Sequence, residues 1–246
     1  DSYNGKNTYE QAESTLQFTA VETAMQKAGV EAEDIDYIFA GDLLNQCISS
    51  SFGLRDFNIA YLGQYGACST MAQGLLMTAV FVESNAANTA ACVTSSHFAS
   101  AERQYRFPLE YGGVRTPTAQ WTVTGSGCCI VSNAKKGACI ARATAGKIVD
   151  LGVTDANNMG AAMAPAAAQT FIDYFADTNT KPSDYDAVFT GDLGLVGSRS
   201  LYDLLSLENI DLEPKHYDCG MMIFDLEGQD VHAGGSGCGC AGSVFC

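Results

Sequence analysis

Two rhythms of apolar and polar positions run along this chain. In "STLQFTAVETAMQKAG" (14–29) and "MAPAAAQTFIDYFAD" (163–177) apolar residues return every three or four positions, which predicts two amphipathic helices. Each leads through an acidic turn into a short apolar run ending in Gly-Asp. The first is "DYIFAGDL" at 36–43 and the second "DAVFTGDL" at 186–193, an offset of 150 (186 minus 36). A helix, turn and strand repeated at a fixed distance read as a duplicated half-domain, divided here as 1–150 and 151–246, the second half cut short. The runs "NTAACVTSS" (88–96), "AQWTVTGSGCCIVS" (119–132), "ACIARATAG" (138–146) and "GMMIFD" (220–225) predict parallel strands buried on both faces. Strands alternating with helices imply right-handed crossovers and a layered α/β fold. Two such halves about a pseudo-twofold would form a five-layer α-β-α-β-α sandwich. "DTNTKPSDYD" reads as a turn into the second repeat strand, and no low-complexity linker separates the halves.

Composition narrows the partners. With 246 residues, 47% of them hydrophobic and 17% charged, the chain can bury a substantial core. It shows neither an apolar run of about 18 residues nor a signal-like start, so the expectation is a soluble protein. A net charge of −15 and a pI near 4.3 argue against nucleic acid or an anionic lipid surface as a direct partner. An anionic small ligand would need helix N-termini, arginines or a bridging cation. The ten cysteines lie mostly in apolar stretches such as "AACVT" and "GCCIV", where a reduced thiol acts as a small hydrophobe, and a reducing compartment is expected. "CGC" at 238–240 lacks the two-residue spacing of a zinc knuckle, and only His97, His216 and His232 offer imidazoles, so no structural metal is expected.

The candidate chemistry centres on "YGACST" at 65–70. Gly66 and Ala67 allow close backbone approach, Ser69 and Thr70 suit a helix start, and a thiol at Cys68 would feel the positive end of the helix dipole. Cys68 is therefore a candidate nucleophile, weighed against a buried inert thiol. A nucleophile needs a base, yet none of the three histidines sits in a recognisable partner motif, and the second Gly-Asp offers only Asp192. "HAGGSGCGCAG" (232–242) predicts a helix start whose N–H groups could face a carboxylate or phosphate, though close packing would equally demand its glycines. Arg103, Arg106 and Arg115 with Trp121 could fork a carboxylate and stack a ring, or pair internally with Glu102 and Glu110. His97 ends a strand-like run and is a candidate pocket residue.

The stretches "FAGDLLNQ", "YGACST", "TSSHFASAERQYRFPLEYGG", "RTPTAQWTVTGSG", "NNMGAAMAPAAAQT", "TGDLGLVG", "DCGMMIFD" and "AGGSGCGCAG" together resemble the stage V sporulation protein AD family, a thiolase-like branch. The resemblance implies a thiolase-like fold and a binding role: uptake of dipicolinic acid, alone or as its calcium chelate, into the developing spore. Other membrane-embedded proteins of the stage V sporulation A complex would be partners, and dimerisation is common in such folds. Localisation would be cytoplasmic or peripheral on the forespore or spore inner membrane. By the resemblance Cys68 matches the thiolase nucleophile, Thr190–Gly194 fall where a condensing enzyme carries its histidine loop, and Ser236–Cys240 fall near its asparagine loop. Those two partners are missing, which favours a binder over an enzyme. The alternative is an acyltransferase working through a Cys68 thioester. The expected ligand residues are Cys68, Ser69, His97, Asp192, Asp218, Gly237 and Cys238, with no cofactor, and with Asp192 or Asp218 meeting calcium only as the chelate. Against the family the chain is expected to be short at both ends, and Cys128–Cys129 replace residues that would ordinarily be small.

Overall fold

The computed structural model describes residues 3–105, 112–134 and 137–246. The chain divides into two compact units: Asp1–Gly112 with Thr122–Ala143 and Gly237–Cys246, and Gly113–Trp121 with Thr144–Ser236. These units cross the division at 150 drawn from the repeat, because the last ten residues join the first unit and 113–121 join the second.

In the first unit, helix α1 (Tyr9–Ala28) starts on a Thr8 side chain accepting from Gln11 N–H and ends on Gly29 at φ 68. A four-stranded sheet follows in the order β2 (Ala60–Gly63), β1 (Tyr37–Gly41), β3 (Thr89–Ser96), β5 (Gly125–Ser132). Residues of β1 and β3 alternate between its faces, as a strand period of two requires. Ile38, Ala40, Ala91 and Val93 pack with Val21 of α1 and with Leu54 of α2 (Ile48–Leu54). On the other face Phe39, Ala90 and Cys92 pack with Met71 and Val82 of α3 (Thr70–Glu83) and Ala241 of α8 (Cys238–Phe245).

β1 is parallel to β2 and β3, as expected, but β5 runs antiparallel to β3. Ser96, the last residue of β3, pairs with Gly125, the first of β5, so the chain, after α4 (Phe98–Tyr105), re-enters the sheet at the end where it left it. The run at 119–132 is broken, with a two-residue β4 (Trp121–Thr122) before β5.

The second unit repeats the first unit's opening: α5 (Met159–Thr178), a left-handed cap at Asn179, a 3-10 turn at Pro182–Asp184, then β6 (Val188–Thr190). The corresponding turn in the first unit is Ala32–Asp34. In each turn a carboxylate accepts the backbone N–H three residues earlier, Asp34 from Glu31 at 2.9 Å and Asp184 from Lys181 at 3.0 Å. β6 pairs in parallel with β7 (His216–Asp218), and Ala168, Phe175, Leu193, Leu201, Leu205 and Leu212 form the core with α6 (Gly194–Ser206). A further two-residue strand, β8, covers Gly235–Ser236.

Two expected strands are absent. Residues 138–146 have no regular structure and are mostly exposed, since an apolar β-branched run becomes a strand only where a neighbour offers its ladder. "GMMIFD" opens inside a short helix, α7 (Cys219–Met222), because Asp218 caps it by accepting Met221 N–H.

Candidate functional site

The ends of β1 and β3, the start of α3 and the start of α8 meet in the first unit. Cys68 lies in a 3-10 turn, Ala67–Ser69, immediately ahead of α3. Ala67 adopts φ 46, a left-handed conformation that a non-glycine residue holds only where its surroundings impose it. The turn is tied by its own hydroxyls: Ser69 Oγ donates to Gly66 O at 2.8 Å and Thr70 Oγ1 to Ala67 O at 2.7 Å. Ser69 is thus the N-cap residue by position, but its hydroxyl does not accept from the helix. Cys68 is half-buried and Ser69 exposed.

Ala67 packs against a small apolar cluster of Leu43, Ala101 and Cys238, which brings the turn bearing Cys68 to the first residue of α8. Gly237, at φ 94, precedes that helix, in a conformation glycine tolerates. Cys238 is buried and donates its thiol to Ser95 O at 2.8 Å, while Gly239 N–H is taken by Ser96 Oγ at 3.0 Å. The α8 start therefore spends part of its donor set inside the fold. The close-packing reading of the glycine-rich stretch is met: a Cβ on Gly127 of β5 would lie 1.9 Å from Gly242 O, so α8 rests backbone to backbone on the sheet.

His97 is 1% exposed; its Nδ1 accepts Ala99 N–H at 3.2 Å and its ring lies 5.2 Å from that of Tyr9. Beyond it, a cavity of about 330 Å³ is lined by Glu10, Asn45, Ile48, Ser100, Arg103 and Gln104. Arg103 is ion-paired with Glu10, not with Glu102, which accepts from the Thr122 hydroxyl at 3.1 Å. Arg115 stacks 4.0 Å over the Trp121 ring within the second unit. Arg106 and Glu110 fall outside the described residues.

Beneath this region lies a buried polar chain. Glu13 accepts from Ser95 Oγ at 2.7 Å and from Ser100 Oγ at 3.1 Å. Gln17 Nε2 reaches Ser95 Oγ and Ser50 Oγ, both at 2.9 Å, and Ser50 donates to Asp42. Burial, reinforced by the charge of Asp42, pushes the Glu13 carboxyl up to about 7 against the pull of the serine hydroxyls. Burial likewise raises Asp42, opposed by its Ser50 and Leu44 hydrogen bonds. Sequence reasoning passed over these residues, although Glu13 and Gln17 stand four apart on the helix stripe that continues to Val21. Polar residues on a buried stripe were the signal.

Asp192 and Asp218 both belong to the second unit. Asp192 is 4% exposed and its carbonyl accepts from Gln120 Nε2 at 2.8 Å. Asp218 Oδ1 accepts from Thr190 Oγ1 and Leu193 N–H, and Oδ2 from Gly194 and Met221 N–H, so the carboxylate joins β6, β7, α6 and α7. Next to it His216 Nε2 lies 2.8 Å from Thr190 Oγ1 and Nδ1 2.7 Å from the Tyr202 hydroxyl. Because Asp218 only accepts, Thr190 gives it the hydroxyl proton and accepts from Nε2–H, leaving Nδ1 to accept from Tyr202. Burial holds His216 below its usual range, with Asp218 opposing. Among the described residues, no group of three His, Cys, Asp or Glu side chains could hold a metal ion.

The model of one family, stage V sporulation protein AD, matches residues 1–246. This chain belongs to the stage V sporulation protein AD family. It is 44% identical over 239 residues to the stage V sporulation protein AD of Bacillus subtilis (strain 168), covering 97% of this chain and 70% of that protein. The fold is thiolase-like. A variant of Xanthomonas campestris OleA bound with cerulenin superposes with a TM-score of 0.62 at 13% identity, over 94% of this chain and 70% of its own. The 3-oxoacyl-(acyl-carrier-protein) synthase III of Aquifex aeolicus VF5 gives 0.61 at 12%, over 93% and 72%. A tetronic acid condensing enzyme gives 0.59 at 16%, over 93% and 75%. Among the described residues, no helix of this family member is long and apolar enough to cross a membrane.

Proposed function

We propose that this family member binds dipicolinic acid, alone or as its calcium chelate, and hands it on without transforming it. What carries this reading is a substitution of chemistry: Thr190–Gly194 and Ser236–Cys240, the stretches that by resemblance match the histidine and asparagine loops of condensing enzymes, contain neither residue. A thiol at a helix start without those two groups can still attract an anion, since amide dipoles favour negative charge whether or not a proton moves. The ligand is a flat ring with two carboxylates, and the first unit offers the α3 start at Cys68 and Ser69; His97 and Cys238 are buried and hydrogen-bonded within the fold and so stand behind that start, with Gly237 at the turn into α8. A cavity whose lining includes none of these residues carries Arg103, ion-paired with Glu10, a fork that a ligand carboxylate would have to win from that partner. Its volume of about 330 Å³ is within the range of small-molecule sites.

Calcium enters this reading as cargo held by the ligand's own carboxylates. Asp218 does not suit direct coordination, since its oxygens already accept four hydrogen bonds, and Asp192 is 4% exposed. The family's sporulation role supports a place at the spore inner membrane beside the membrane-embedded proteins of the stage V sporulation A complex, with a homodimer as the form to test first.

Calorimetry with dipicolinate, with and without calcium, tests the reading. Saturable binding should weaken at least tenfold in Cys68→Ala or Arg103→Gln, and unchanged affinity in both would place the site elsewhere. One observation favours a second reading, a Cys68 thioester: the left-handed Ala67 that sets the turn before α3. Incubation with acyl-CoA followed by intact-mass measurement separates the two, because only an acyltransferase gains the acyl mass and loses it in Cys68→Ala.

A further inference from the structure

A group of thiols lies at the far end of α8, on the sheet face that packs α3 and α8. Cys92 of β3 and Cys129 of β5 stand directly opposite each other in the antiparallel pair. Cys246, which follows Phe245 at the close of α8, brings its sulfur to 3.3 Å from that of Cys129. Cys92 is 1% exposed, Cys129 is half-buried and Cys246 is exposed, so a small reagent reaches the Cys129–Cys246 edge and not Cys92. A disulfide needs sulfurs near 2.05 Å, a closing movement of roughly 1 Å from the observed separation.

We propose that Cys129 and Cys246 form a redox-active dithiol, oxidised by exchange with a small-molecule disulfide of the glutathione class, and that the bond fastens the last turn of α8 to β5. Cys129 is the attacking sulfur. The thiols of Cys246 and Cys92 both point hydrogen bonds at it, which stabilises its thiolate and lowers its pKa against the cost of burial. The Cys129 thiolate displaces one glutathione from the reagent, and that glutathione takes the proton Cys129 lost. Cys246 then gives up its proton and attacks the Cys129 sulfur of the mixed disulfide, releasing the second glutathione as a thiol. Two protein thiols are oxidised by two electrons, and one glutathione disulfide is reduced to two thiols.

The test is oxidation of the full folded chain with glutathione disulfide, read by intact mass and by mapping of non-reduced peptides. The expected result is a loss of about 2 Da, a peptide joining Cys129 to Cys246, and reversal by dithiothreitol. Cys92→Ser should form the same link, whereas Cys129→Ser and Cys246→Ser should stop at a mixed disulfide or at unreacted thiols. Should either of those two variants fail to fold, the wild-type peptide map decides alone. A stable glutathione adduct on Cys246 in the wild type, a Cys92–Cys129 link in its place, or no change at either cysteine would overturn the proposal.

Discussion

Ser95, at the end of β3, donates its hydroxyl to Glu13 of α1 at 2.7 Å, 82 positions away in sequence. The bond fixes a carboxyl inside the core, where its charged form is disfavoured by burial and by Asp42. Glu13 is raised from 4.5 to about 7 in the fold, so the folded state holds the proton more tightly than the unfolded chain. Its contribution is complete below pH 4.5, shrinks as pH rises, and is lost above about 7. Urea unfolding across that window should show the wild type losing about 3 kcal/mol relative to Glu13→Gln, at about 1.4 kcal/mol per pKa unit. Parallel curves for the two proteins would reject the assignment.

Asp218 is a brace by its bonding. Asp218→Ala would strand Leu193, Gly194 and Met221 N–H groups and the Thr190 hydroxyl, at about 1–3 kcal/mol for each buried group left unpaired. Denaturation should report a loss of about 3 kcal/mol or more, and a near-neutral result would mean that the carboxylate is not the joint between these elements.

His216 should titrate below 6.5 by NMR, since its burial outweighs the nearby Asp218 charge. A folded pKa below the unfolded one means that its contribution is present above pH 6.5 and is lost as pH falls through the lower value. A Tyr202→Phe exchange removes the donor to Nδ1 and should cost about 1 kcal/mol at neutral pH. An imidazole that titrates above 6.5 would mean that the Asp218 charge outweighs its burial.

Gly237→Ala should destabilise α8. The position has φ 94, and an added Cβ would meet Leu43 Cδ1 at 3.0 Å and Ser96 Oγ at 3.1 Å. A loss of about 1–3 kcal/mol is expected, together with weaker dipicolinate binding if the α8 start faces the ligand.

The duplicated helix, turn and strand were legible because local rules set them: a stripe of apolar residues, a left-handed cap at Gly29 or Asn179, and an Asp three residues into the turn. The position of Cys68 ahead of α3 was legible for the same reason. The direction of β5 was not, because it depends on which end of β3 the chain meets when it re-enters the sheet, and no residue in "GSGCCIVS" encodes that. "GMMIFD" was misread as a strand because its apolar run says nothing of the cap that Asp218 places before it. For Asp218 the sequence left open a ligand contact or the capping of a turn; it caps α7, and its further bonds to Thr190, Leu193 and Gly194 emerge only when residues 190–194, distant in sequence, close around it.

The α8 helix crosses β5 where Gly127 meets Gly242, backbone against backbone, while Ala241 seats its methyl among Phe39, Ala90 and Met71. Ser96 holds Gly239 near one tip and the sulfurs meet at the other. A rigid rod carries a push at one tip to the other, so whatever grips the far one also bears on where the near one sits.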